Sequence, residues 1–156
     1  MNLEELARRI QVLEDIEAIK QLKYLYGQIC DDKYNPDEME KLFTEDAIWD
    51  GGEKFGVYKG KKAIKEFFAG VSKNLVFAVH YFLQPIIKIT SETTAEGSWY
   101  LWQQSTLGDG KAIWLAARED EKYEKVNGKW LFKEIKLTVF FATPYEEGWH
   151  KNLMCL

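Results

Sequence analysis

The sequence predicts an α+β fold in which a curved antiparallel β-sheet packs against N-terminal helices and encloses a pocket. Three observations point there. Apolar residues recur at helical spacing early in the chain, long strand-like runs joined by tight turns follow, and aromatic residues are abundant, with 6 Trp, 8 Tyr and 9 Phe. Strands of this length curl, and a curled sheet capped by helices leaves a hollow. At 156 residues the chain reads as one domain, 1–156, able to bury a core without staples.

Helical periodicity opens the chain. Leu3, Leu6, Ile10 and Leu13 repeat at three-to-four spacing, and Ile16, Ile19, Leu22, Tyr26 and Ile29 continue the stripe. A phase shift near Asp15 predicts two helices or a bend. Residues 1–14 exceed what a small core needs, so they form an oligomerisation arm or fray. Asp31-Asp32-Lys33-Tyr34 ends the helix. Asn35-Pro36-Asp37-Glu38 reads as an N-cap, a first-position proline and first-turn acids of a short helix through Phe43. Ala47-Ile48-Trp49 and Val57-Tyr58 read as short strands around a Gly51-Gly52 turn. From Lys61 to about Val71 a third helix shows Ile64, Phe67, Phe68 and Val71 on one side.

Strands take over from there. They run over 75–90, 94–107, 112–126 and 130–141, separated by Ser91-Glu92-Thr93, Gly108-Asp109-Gly110 and the hairpin signal Asn127-Gly128. Residues 142–156 form a tail whose Glu146–His150 stretch either closes the pocket mouth or is disordered. Internal repeats, linkers and low-complexity segments do not occur.

Composition excludes several functions. Net charge is -4, from 21 basic and 25 acidic residues, with no basic stripe, which argues against nucleic acid. Cys30 and Cys155 make neither a disulfide framework nor a metal-spacing motif. No apolar run approaches the ~18 residues of a membrane helix. The acidic, amphipathic start is unlike a secretion signal, so the expected location is the cytoplasm. There is no Gly-rich phosphate loop, no nucleophile elbow and no His or Cys cluster, so neither a cofactor nor a metal is expected.

Asp31 and His80 stand out. The chain has 2 histidines, and His80 lies in the apolar run Phe77-Ala78-Val79-His80-Tyr81-Phe82-Leu83. A buried imidazole needs a partner, and a carboxylate on a helix end packed against the strand supplies one. Such a pair facing a cavity is a general base, or else a structural histidine tied to a helix end. Alternation puts Ala78, His80, Phe82 and Gln84 on one face of their strand, Gly97, Trp99, Leu101 and Gln103 on the next, and Ile135, Leu137, Val139 and Phe141 on the last. These sets are assigned to the concave side. Trp49, Tyr58, Phe82, Trp99 and Phe141 are candidate walls, each reading first as plain core, and Gln103, if buried, needs a ligand oxygen or a neighbouring backbone group as partner. Tyr26 either holds a substrate oxygen or packs in the core. Arg118 reads first as a surface ion-pair partner of Glu119, Asp120 or a neighbouring strand, and otherwise as a clamp for an anionic group.

Three segments together resemble the SnoaL-like proteins of the nuclear-transport-factor-like superfamily, whose fold is a cone-shaped α+β structure. They are Leu13-Glu14-Asp15-Ile16-Glu17-Ala18-Ile19-Lys20-Gln21-Leu22-Lys23 with Tyr26 and Asp31, then Gly97-Ser98-Trp99-Tyr100-Leu101, then Lys122 to Trp130. The first is similar to the subgroup of bile-acid dehydratases, scytalone dehydratases and a dehydrochlorinase. The resemblance implies that His80 and Asp31 form a proton-abstracting pair assisted by Tyr26. It also shows two departures. Gln103 stands where the bile-acid enzymes carry an acid, and the second pocket histidine of scytalone dehydratases has no counterpart.

The expected function is a cofactor-independent lyase, a dehydratase or isomerase, acting on a small apolar ring-containing hydroxy-carbonyl compound, polyketide- or steroid-like. The alternative is a non-catalytic module that binds a small apolar ligand. A homo-oligomer, dimer or trimer, is expected in either case, because the apolar stripe Leu3 to Leu13 needs covering.

Overall fold

A computed structural model describes residues 2–156; Met1 of the expected arm lies outside the described residues. The first helix, α1, runs unbroken over Leu3–Asp31, capped by the Asn2 side chain on the Glu5 amide. The expected break at Asp15 is absent because the residue that interrupts the stripe is itself held. Its carboxylate accepts from Trp130 Nε1 at 2.9 Å and pairs with Lys125 at 2.6 Å. Only the later part of α1 meets the sheet. Leu3 and Leu13 are 84% and 66% exposed, whereas Ile19 and Tyr26 are buried.

A short helix α2 (Pro36–Met39) continues as a 3-10 turn through Leu42 into β1 (Phe43–Asp50). A one-turn helix α3 (Gly52–Phe55) occupies the expected Gly-Gly turn and leads to β2 (Val57–Lys59) and α4 (Lys61–Asn74). The long strands are β3 (Leu75–Ile89), β4 (Thr94–Leu107), β5 (Ala112–Val126) and β6 (Lys129–Pro144). Asn127 and Gly128 both take positive φ, 49° and 78°, as a two-residue hairpin turn requires.

The six strands form one open sheet in the order β2-β1-β6-β5-β4-β3. It is mixed, not wholly antiparallel, because β1 runs parallel to β6. The chain reaches β6 only after the β3–β5 meander, so neighbours in the sheet are distant in sequence. The core lies between the concave face and the helices, with α1 against β3 and α4 against β1. Gly27 sets the approach of α1: a Cβ there would stand 3.2 Å from the Phe82 ring.

The register slips at several bulges, and two of them bear on the residues singled out above. Between Leu83 and Ile86 the register slips around Gln84, at φ 52°, and Pro85, a residue that cannot serve the ladder. Between Val139 and Phe141 one extra residue, Phe140, enters β6. The tail is pinned rather than loose. Cys155 N donates to Ala142 O at 2.8 Å, and a short helix α5 (Gly148–Lys151) carries Trp149 onto Phe141 and Trp102. Among the described residues no helix is long and apolar enough to cross a membrane.

Candidate active site

The site begins where α1 ends. Asp31 is its last residue, and no basic side chain occupies the last turn to balance the helix's negative end. One oxygen, Oδ1, accepts from the His80 backbone N at 2.9 Å and lies 2.8 Å from the ring Nδ1. A carboxylate only accepts, so in the neutral imidazole Nδ1 carries the proton and Nε2 keeps its lone pair. Tyr34 Oη stands 2.9 Å from Nε2 and therefore donates to it. The imidazole is gripped from both sides, its side chain only 5% exposed, while Asp31 keeps 35% exposure.

Tyr34 reaches this position through an unusual turn. Lys33 and Tyr34 both adopt the left-handed region, at φ 56° and 54°, just after the helix stops. Non-glycine residues occupy that region at a cost on the order of 1 kcal/mol or more each. The Tyr34 ring then stacks on Phe68 and meets His80 edge-on. Burial, together with Cys30 and Asp31 nearby, holds its hydroxyl protonated well above the ordinary range.

A second polar cluster lies deeper. Lys23 of α1 is wholly buried and donates to both Glu119 and Glu121 of β5. Its ammonium also lies 3.9 Å over the Phe82 ring. Tyr123 Oη donates to Glu121 and accepts from Trp99 Nε1 at 3.0 Å. Burial disfavours the Lys23 charge, yet the two carboxylates outweigh it and hold its pKa above the usual value. Burial pushes Glu121 up to about 7, against the pull of Lys23.

Between the clusters and α4 lies a cavity of about 450 Å³, within the range of small-ligand sites. Trp49, Phe67, Phe68, Leu101, Leu115 and Leu137 supply apolar wall; His80, Tyr34, Tyr26, Gln103 and Glu119 supply polar atoms. Leu156 also lines it, and Lys54 Nζ donates to the Leu156 carbonyl oxygen at 2.5 Å. The tail thus reaches the cavity through Leu156, while Trp149 packs on the outer face.

The SnoaL-like domain model matches residues 11–136, most of the chain. The chain belongs to the SnoaL-like family. Solved structures show the same nuclear-transport-factor-like fold. A protein provisionally named a scytalone dehydratase, from Novosphingobium aromaticivorans, superposes with a TM-score of 0.81 at 23% identity, over 88% of this chain and 91% of that one. A hexachlorocyclohexane dehydrochlorinase from Novosphingobium barchaimii superposes with a TM-score of 0.78 at 22% identity, over 87% and 93%.

Within this SnoaL-like chain the residues singled out from sequence divide into two sets. His80, Tyr26, Gln103 and Trp49 line the cavity, with Asp31 directly behind His80. Tyr26 is buried, and its Oη accepts from Trp49 Nε1 at 3.3 Å; burial and Cys30 beside it push its pKa well up. Gln103 Nε2 donates to Ser105 Oγ at 2.7 Å. Phe82, Tyr58 and Trp99 do not line the cavity. Phe82 separates His80 from Lys23, Tyr58 stacks on Phe67, and Trp99 binds Tyr123. Phe141 lies on the opposite face with Trp102, because the Phe140 bulge reverses parity beyond Val139. Arg118 pairs with Asp120 at the surface.

Sequence reasoning missed Tyr34, Lys23, Glu119 and Glu121. A signal existed for the acids. Period-two alternation from Leu115 and Ala117 carries straight on to Glu119, Glu121 and Tyr123, all of them buried.

Proposed function

We propose that this chain is a lyase of the dehydratase type, or an isomerase, that needs no cofactor and uses His80 as its general base. Its substrate is a small, apolar, ring-containing hydroxy-carbonyl compound, polyketide- or steroid-like. The observation that carries the reading is a histidine held at Nδ1 by Asp31, with Nε2 facing Tyr34 at an apolar cavity. Membership of the SnoaL-like family and neighbours named as a dehydratase and a dehydrochlorinase support the reaction class.

The geometry supports the following steps. Substrate displaces the Tyr34 hydroxyl from Nε2, which then takes the proton α to the carbonyl. Asp31 fixes the tautomer and stabilises the imidazolium as it forms. The C–H electron pair becomes the C=C bond as the β C–O bond breaks. Tyr34 donates its proton to the departing oxygen and recovers one from Nε2–H, so water leaves and the neutral imidazole returns. Tyr26 and Gln103 hold the carbonyl oxygen, where negative charge develops. In an isomerisation, His80 returns the proton to a different carbon.

A panel of β-hydroxy ketones, hydroxysteroids included, tests this by the ultraviolet absorbance of the conjugated enone. The wild-type protein turns over at least one member, and His80→Ala lowers that rate by about 100-fold or more. Unchanged turnover in His80→Ala contradicts the mechanism. The Gln103 amide favours one other reading, a binding module. Tight binding without product across the panel supports that reading instead.

We also propose that the chain self-associates as a dimer or trimer. Leu3, Leu6, Ile10 and Leu13 on α1 are left exposed by its own fold. Light scattering should give a mass above the 18.3 kDa of one chain. A monomer at micromolar concentration contradicts this.

A further inference from the structure

We infer that Glu119 is the specificity-determining residue at one end of the cavity: it accepts a hydrogen bond from a hydroxyl at the near end of a neutral, elongated ring ligand and turns away ligands that present an anion there. The inference rests on the reading that this cavity is the substrate site.

Strand register sets the distances. Across the sheet His80 aligns with Gln103, and Gln103 with Leu115. Glu119 lies further along β5, aligned with Trp99 and Leu137. That offset is about 13 Å along the strand and about 10 Å across it on a flat sheet, and curvature shortens it. Asn74, Leu107, Ile113 and Leu156 line the cavity on the opposite side of the His80 row. A ligand lying along this axis brings its middle to His80 and one end to Glu119. The span suits a multi-ring molecule, not a single ring.

The chemistry at that end is specific. Glu119 is 3% exposed and lines the cavity. Lys23 takes its Oε2, and among the described residues its other oxygen receives no hydrogen bond. Lys23 cannot greet an anion, being buried to 0% exposure between Glu119, Glu121 and the Phe82 ring. The nearby Tyr26 hydroxyl and Cys30 thiol are both held protonated by burial. Among the described residues lining the cavity there is no lysine or arginine. The free carboxyl oxygen therefore wants a donor, and a second carboxylate placed against it would be desolvated and unpaired.

Three probes of one shape test this by calorimetric titration: 4-hydroxybiphenyl, biphenyl and biphenyl-4-carboxylate. The wild-type protein should bind the hydroxyl probe about tenfold more tightly than biphenyl, as a hydrogen bond to a charged group warrants. The carboxylate should bind about tenfold or more weaker than the hydroxyl probe. In the near-isosteric Glu119→Gln the hydroxyl preference shrinks and the carboxylate gains. Equal binding of all three, no binding of any, or one common shift in Glu119→Gln overturns the inference. The wild-type ranking stands as a test even if Glu119→Gln fails to fold. The readout is separate from catalysis: His80→Ala should keep the ranking, so the base reading and this one fail independently.

Discussion

Two of the polar clusters that join α1 to the sheet are built on opposite principles. Asp31, His80 and Tyr34 form a chain of single hydrogen bonds at the cavity wall, open to solvent at the Asp31 end. Lys23, Glu119, Glu121, Tyr123 and Trp99 form a closed network with both carboxylates on one ammonium. The Phe82 ring stands between them, stacked towards His80 on one side and under Lys23 on the other. The outer cluster holds the Nε2 lone pair on a single Tyr34 hydrogen bond that a ligand can replace, and it can lose a partner at little structural cost. The inner one holds ions where unpaired charge is expensive, so removing a member strikes the fold.

The largest effect should come from breaking the inner cluster. Lys23→Met leaves two carboxyl groups buried without a cation and should destabilise by about 3–5 kcal/mol in denaturant unfolding. A loss below about 1 kcal/mol would show that water reaches the network and erase the contrast. Breaking the outer cluster should do the reverse. Tyr34→Phe removes one hydroxyl and should cost about 1 kcal/mol of stability. It should nonetheless lower turnover of any substrate found by about 10-fold or more. Equal damage to stability and rate would deny Tyr34 its relay role.

Acidity sharpens the comparison further. The folded chain raises the Glu121 pKa from 4.5 to about 7, so it binds this proton more tightly than the unfolded chain does. The linked stability is fully present below about 4.5 and is lost as pH rises through about 7. Lys23, Glu119 and Tyr123 face the same carboxyl. Unfolding free energies measured across that window should decline more steeply for the wild-type protein than for Glu121→Gln, which mimics the protonated form. Parallel curves would place the titration elsewhere. The smallest effect belongs to the surface. Arg118 and Asp120 are each 47% exposed, and Arg118→Ala should change stability by less than about 0.5 kcal/mol.

Much of the fold is legible in the sequence because its signals are local. Strand alternation, the Asn127-Gly128 turn and the Asn35-Pro36 cap each act within a few residues. The parallel pairing of β1 with β6 is not legible, since it depends on a contact across most of the chain. The face of Phe141 is hidden for another reason: one inserted residue, Phe140, reverses parity, and no glycine or proline announces it. In the site, His80 stands out as a polar residue in an apolar strand and Asp31 as an acid at a helix end. Tyr34 is silent because its placement depends on left-handed backbone at two ordinary residues. Glu119 and Glu121 keep the inward parity of Leu115 and Ala117, but their charge suggests a solvated strand end until Lys23 is seen opposite them.

The central claim is that Asp31 fixes the His80 tautomer so that Nε2 presents a lone pair to Tyr34 and the cavity. Nitrogen-15 NMR of the imidazole reads this directly, and with 2 histidines in the chain a His150→Gln sample makes the assignment certain. At a pH where the ring is neutral, the account predicts a proton on Nδ1 and an unprotonated Nε2 whose resonance moves in Tyr34→Phe. A proton on Nε2 instead, or an Nε2 resonance indifferent to Tyr34, would contradict it.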